Sequence, residues 1–191
     1  MSLTKQAKVL TDKQVKVVLS HLSETRNALR NRVMFLLSLQ AALRAKEIAE
    51  ISWAMVMTSD GEIGDEIHLT NHASKGKSGG VVAMSSDLRA SLIELADKTG
   101  TNGNIIKTSR GRAMSAQVIT NWFFTLYQDL GFDGCSSHSG RRTAITRWAR
   151  NISQVGGSMR DVQSLARHSS LALTQRYVET NSNAMKAVVN R

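Results

Sequence analysis

The run VMFLLSL, residues 33–39, constrains the fold of this chain more than any other stretch. A helix carrying it has apolar side chains on every face and must be covered all round. The run is far short of the roughly 20 apolar residues that cross a bilayer, so protein has to provide the cover. A central helix over about residues 25–40 is therefore expected, with the other elements packed on it.

Those elements are signalled locally. In LTDKQVKVVLSHL, Thr11 can cap a helix, Gln14 can close a capping box, and Leu10 can staple onto Val15. Val15, Val18, Leu19 and Leu22 then recur at helical spacing. AKEIAEI reads as a shorter helix. SWAMVMT, DEIHLTN and GGVVAMS read as three short strands, with SKGKSGG as the tip between the second and third. Helical signals return in SSDLRASLIELADKTG, closed by Gly100, and in SAQVITNWFFTLYQDLG, closed by Gly131. From His138 onward the chain reads as short helices joined by Gly or Ser turns. The expected class is mostly α with a small antiparallel β-sheet (α+β), one domain over residues 1–191, without repeats or a linker between comparable domains.

Charge narrows the partner. Lys and Arg number 25 against 15 Asp and Glu, a formal net charge of +10 with a pI near 10.3. Such a balance favours a polyanion, because each neutralised phosphate releases counterions. An anionic membrane surface would also attract it, but no run is long and apolar enough to span one, and the first residues lack an apolar signal core. The single cysteine, Cys135, leaves no intramolecular disulfide and no CxxC cluster. A reducing cytoplasm is the expected setting, with no metal or cofactor.

Four separated stretches hold residues suited to phosphate chemistry. AALRAKEIAEI carries Arg44 and Glu47, and SKGKSGG carries Lys75 and Lys77. SHSGRRTAITRWA carries His138, Arg141 and Arg142. ARHSSLALTQRYVET carries Arg167, His168, Arg176 and Tyr177. In this order the motifs resemble those of the tyrosine recombinases, also called phage-type integrases. AALRAKEIAEI is similar to the first arginine motif of that family, usually Gly-Leu-Arg with Glu three residues later. HSGRR supplies its His-x-x-Arg, and HSSLALTQRY matches its closing His-to-Tyr spacing. The likeness runs from the LTDKQ helix to Tyr177.

The resemblance implies the tyrosine recombinase catalytic-domain fold and a site-specific recombinase that cleaves and rejoins DNA, independent of metal and ATP. Tyr177 would form a 3′-phosphotyrosyl link; Arg44, Arg141 and His168 would stabilise the transition state; His138 would assist proton movement. One lysine of the tip would protonate the leaving 5′-oxygen, with Lys75 preferred for its earlier place and Lys77 kept open. Glu47 would orient an active-site group, and Arg142, Arg167 and Arg176 would contact DNA. The implied partners are double-stranded DNA, further copies of the chain (a tetramer on DNA) and accessory DNA-bending proteins, in a bacterial or phage nucleoid. The tail 178–191, with Met185, Val188 and Val189 at helical spacing, would dock either on its own core or in trans on a neighbouring copy. Typical members carry a further DNA-clamping domain ahead of this one; with these residues starting almost at the catalytic motifs, the resemblance implies either an isolated catalytic fragment or one of the short, single-domain members similar to fimbrial phase-variation invertases.

The residue types also make chemical sense alone. A phosphodiester's negative charge repels nucleophiles, and two guanidiniums can grip two non-bridging oxygens at once. A phosphotyrosine ester conserves the energy of the broken bond, so the strand can be rejoined. Forming the attacking phenolate from a phenol of pKa about 10 requires a positive site. A lysine on a hairpin can act as general acid. His138 and Arg141, one helical turn apart, can face one site.

Plainer readings stand beside these: a surface Arg44, a solvated Glu47, a soluble lysine-rich turn, a structural His138, and His168 capping a loop. Tyr127, in NWFFTLYQDL, reads as core, and His68 and His72 as structural or DNA-proximal. Three positions depart from the family pattern. Ala42 stands where glycine is usual, Gly140 where leucine is commoner, and Ala166-Arg167 where Leu-Gly is usual. Two other functions fit the same fold: a noncatalytic DNA-binding regulator, and a type IB topoisomerase-like relaxing enzyme.

Overall fold

The central helix is Ala28–Leu39, α2 in chain order, and Val33 through Leu39 are each at most 3% exposed. Full burial of a Leu or Phe contributes about 2 kcal/mol, so these roughly two turns anchor the core. The cover comes from α1 (Asp12–Ser23), α3 (Ala45–Glu50) and α4 (Ser86–Thr99), which pack on α2, while α5 (Ala116–Asp129) packs on α3. The computed structural model describes residues 6–73 and 79–178.

Local chemistry starts and stops these helices where the sequence signals it. Thr11 Oγ1 accepts the Gln14 N–H at 3.2 Å, and Gln14 Oε1 accepts the Thr11 N–H at 3.0 Å, which completes the capping box. Ser85 and Ser115 cap α4 and α5, accepting from the N–H of Leu88 and Val118. Gly100 and Gly131 close them in positive-φ conformations that a side chain would strain.

Among the described residues the sheet has two strands, not the expected three. β1 (Glu66–Leu69) pairs antiparallel with β2 (Gly80–Ala83), in register from Glu66 opposite Ala83 to Leu69 opposite Gly80. SWAMVMT instead forms a 3₁₀ turn over Trp53–Met55, flanked by single bridges from Ser52 to Asn104 and from Met57 to Ile63. Trp53 and Val56 are both 1% exposed. A burial spacing of three is the 3₁₀ period, and an apolar run this short hides that distinction. The tip SKGKSGG lies mostly in 74–78, so Lys75 and Lys77 fall outside the described residues, as does the tail from 179.

Cα packing separates two compact units, Met1–Ala144 and Ile145–Arg191, with the boundary inside α6 (Ser139–Asn151). In the second unit a 3₁₀ turn (Ile152–Val155) leads to α7 (Met159–Ala166), which packs on α8 (Leu171–Gln175). Asp161 starts α7 by accepting the Ser158 N–H at 2.7 Å, and that bond holds its carboxyl below the usual range. The class is therefore mostly α with a small antiparallel sheet. Among the described residues no helix is long and apolar enough to cross a membrane.

Candidate active site

The first unit gathers Arg44, Glu47, His138 and Arg141. After α2 ends, the backbone turns through Ala42 at φ 51° and presents Arg44 as the residue before α3. Glu47, fully buried, accepts the Arg44 N–H through Oε2 at 2.8 Å and the Arg44 Nη1 through Oε1 at 2.9 Å. One carboxylate thus starts α3 and aims the guanidinium, and the charge pair offsets the cost of burying the carboxylate.

Arg141 enters from the first turn of α6 and is 3% exposed. Its Nη1 donates to the Ala42 carbonyl, so the turn before Arg44 also holds the second guanidinium. The approach is close: a Cβ on Gly140 would lie 2.4 Å from Ser38 Oγ on α2. Partial burial first, then the charges of Arg141 and Arg44, hold His138 below its ordinary 6.5, which leaves the ring neutral at pH 7. Two guanidiniums acting on one imidazole form a cationic cluster able to hold a phosphate and accept a proton beside it. Arg142, on the next position, donates through Nη1 to Gln6 Oε1.

The second unit gathers His168 and Tyr177. Their rings stack with centroids 5.2 Å apart at an interplanar angle of 29°. His168 is 6% exposed, and its Nδ1 lies 3.0 Å from Thr174 Oγ1. α7 ends in a Schellman turn: Arg167 sits at φ 52°, its N–H reaches the Ser164 carbonyl, and the His168 N–H reaches the Gln163 carbonyl. Gln163 Nε2 also donates to the His168 carbonyl at 3.1 Å. The Thr146 hydroxyl donates to the Tyr177 carbonyl at 3.2 Å. Arg176 is exposed beside Tyr177, while Arg167 is half-buried.

Tyr127 offers a contrast. It is 1% exposed, stacked between Phe123 and Phe132 at centroid distances of 6.0 and 6.5 Å. Desolvation, then Cys135, push its phenol far above the usual range. It is core, whereas Tyr177 is half-buried. His68 is exposed on β1, 3.6 Å from Glu66 Oε2.

Sequence reasoning missed the groups that hold the site residues: the Ala42 carbonyl, Gln163, Thr174 and Thr146. Only Gln163 had a local signal, one turn ahead of the C-terminal end of α7. The others act across turns, where helical spacing says nothing.

Residues 8–184 match the phage integrase family, and the chain belongs to it. It is 24% identical over 186 residues to the tyrosine recombinase XerC of Rickettsia massiliae, an alignment covering 95% of this chain and 58% of that protein. The chain therefore spans little more than half the length of that relative. The fold is similar to that of the XerA recombinase crystal structure (TM-score 0.75, 19% identity, 95% of this chain and 64% of the other). It is also similar to the Tn1549 transposon integrase in complex with a circular intermediate DNA (TM-score 0.74, 16% identity, 99% and 67%).

Proposed function

We propose that this chain is the catalytic part of a site-specific DNA recombinase. Tyr177 attacks a backbone phosphate to give a 3′-phosphotyrosyl link and a free 5′-hydroxyl, and reversal on a partner duplex completes strand exchange. Arg44 and Arg141 neutralise the phosphate oxygens as charge develops, and His168 donates a hydrogen bond to them. Neutral His138 accepts or relays a proton, and Lys75, with Lys77 as its alternative, protonates the leaving oxygen. Arg142, Arg167 and Arg176 contact the duplex. The observation that carries this reading is the stack of Tyr177 on His168. Membership of the phage integrase family, and a relative named for tyrosine recombination, support it. We extend the same proposal to residues 1–191 acting as one catalytic domain, to a tetramer assembled on DNA with accessory bending proteins, and to action in the nucleoid of a bacterial or phage host.

The test is a denaturing gel on nicked suicide substrates drawn from the DNA flanking the gene. The native chain should give a covalent protein–DNA adduct, and Tyr177→Phe should give none. Binding without an adduct on any such substrate would favour the noncatalytic regulator. Supercoil relaxation without exchange between duplexes would favour the topoisomerase-like enzyme.

A further inference from the structure

Thr174 is fully buried and touches both residues of the His168–Tyr177 pair. Its hydroxyl lies 3.0 Å from His168 Nδ1, and its carbonyl accepts the Tyr177 N–H at 3.0 Å. The rest of His168 is already held. Its N–H and carbonyl are both bonded to Gln163, and Tyr177 covers a ring face. What the backbone cannot set is which ring nitrogen carries the proton.

The hydroxyl decides that. Among the described residues His168 Nδ1 is the one hydrogen-bond partner of Thr174 Oγ1. A buried O–H that fails to donate costs more than an unused lone pair on the same oxygen. If Nδ1 carried the proton, the hydroxyl would have to accept, and its own hydrogen would have no acceptor. The favoured arrangement is donation from Thr174 to a bare Nδ1, which puts the ring proton on Nε2.

We infer that Thr174 is a positioning residue that fixes His168 as the Nε2–H tautomer. This inference rests on the proposed cleavage reaction for its purpose, since an Nε2–H donor is what a non-bridging phosphate oxygen accepts. It does not rest on that reaction for its truth. In metal sites, removing the hydrogen-bond partner of a ligating histidine changes activity about 10- to 100-fold, and an effect at the lower end of that scale is expected of Thr174.

The experiment uses the full chain labelled with ¹⁵N-histidine, with the His168 signals assigned by comparison with His168→Gln. A long-range ¹H–¹⁵N spectrum should show one pattern for His168, Nδ1 bare and Nε2 protonated. Thr174→Val should replace it with a mixture of tautomers, and Thr174→Ser should keep it. In single-turnover cleavage, Thr174→Val should be slower by about 10-fold or more, with Thr174→Ser restoring most of the rate. Should the valine variant fail to fold, Thr174→Ala makes the same comparison. A wild-type pattern in the valine or alanine variant, or a protonated Nδ1 in the native chain, overturns the inference. If the tautomer responds as described while the native chain forms no adduct, the tautomer assignment holds and the recombinase reading fails.

Discussion

Among the described residues two non-glycine positions have positive φ, Ala42 at 51° and Arg167 at 52°. These are two of the positions that depart from the family's glycine pattern. A left-handed conformation costs an L-residue about 1–2 kcal/mol, so both sites hold strained backbone next to a functional group. Ala42 supplies the carbonyl for Arg141, and Arg167 forms the turn that presents His168. Ala42 is fully buried, so Ala42→Gly trades about 1 kcal/mol of relieved strain for about 0.8 kcal/mol of lost methyl burial. Its urea midpoint should stay close to the native one. Ala42→Val adds branching in the same conformation and bulk in a packed site, and should lose about 2 kcal/mol or more. Equal midpoints for the two variants would refute the strain at this turn. His138 carries a pH signature. Its folded pKa lies below 6.5, so the unfolded chain binds the proton more readily. Its contribution to stability is complete above about pH 6.5 and is lost as pH falls below that value. Urea midpoints measured from pH 7.5 down to 5 should decline in the native chain, and His138→Gln should flatten that part of the decline.

At the scale of elements, α6 meets α2 through a position with no room for a side chain. A Cβ on Gly140 would sit 2.4 Å from Ser38 Oγ, 2.9 Å from Ser38 Cβ and 3.2 Å from the Ser38 backbone carbon. Gly140→Ala should destabilise by about 2 kcal/mol, and Ser38→Gly in the same chain should recover part of that loss. Among the described residues the buried Ser38 Oγ has no hydrogen-bond partner, so Ser38→Ala alone should be neutral or slightly stabilising. A double-mutant cycle in urea reads the coupling, and additive losses would show that α6 does not close on Ser38. The elements themselves differed in legibility. The caps at Thr11, Ser85 and Ser115 are local, made with residues three positions on; the Thr11 box is read from the sequence, and the two serine caps are of the same local kind. The 3₁₀ turn at Trp53 passed for a strand because its two anchors, Trp53 and Val56, are fixed by what they pack against.

For the whole molecule, a net charge of +10 on 191 residues predicts DNA affinity that falls steeply with salt. Arg176 is exposed beside the proposed nucleophile, and Arg176→Ala should lower the slope of log affinity against log salt by about 0.9. A slope unchanged by that substitution would remove Arg176 from the DNA contact. Sequence alone suffices for the helical stretches, the Thr11 cap, the all-round burial of Val33–Leu39 and the residue types suited to phosphate chemistry. Those signals are carried by side chains a turn apart, so the period of the helix exposes them. Packing is what brings the Ala42 carbonyl to Arg141, leaves no room for a Cβ on Gly140, and sets Thr174 against His168 Nδ1. Each of these joins segments across turns or across most of the chain, where distance depends on how whole elements pack and no local period records it.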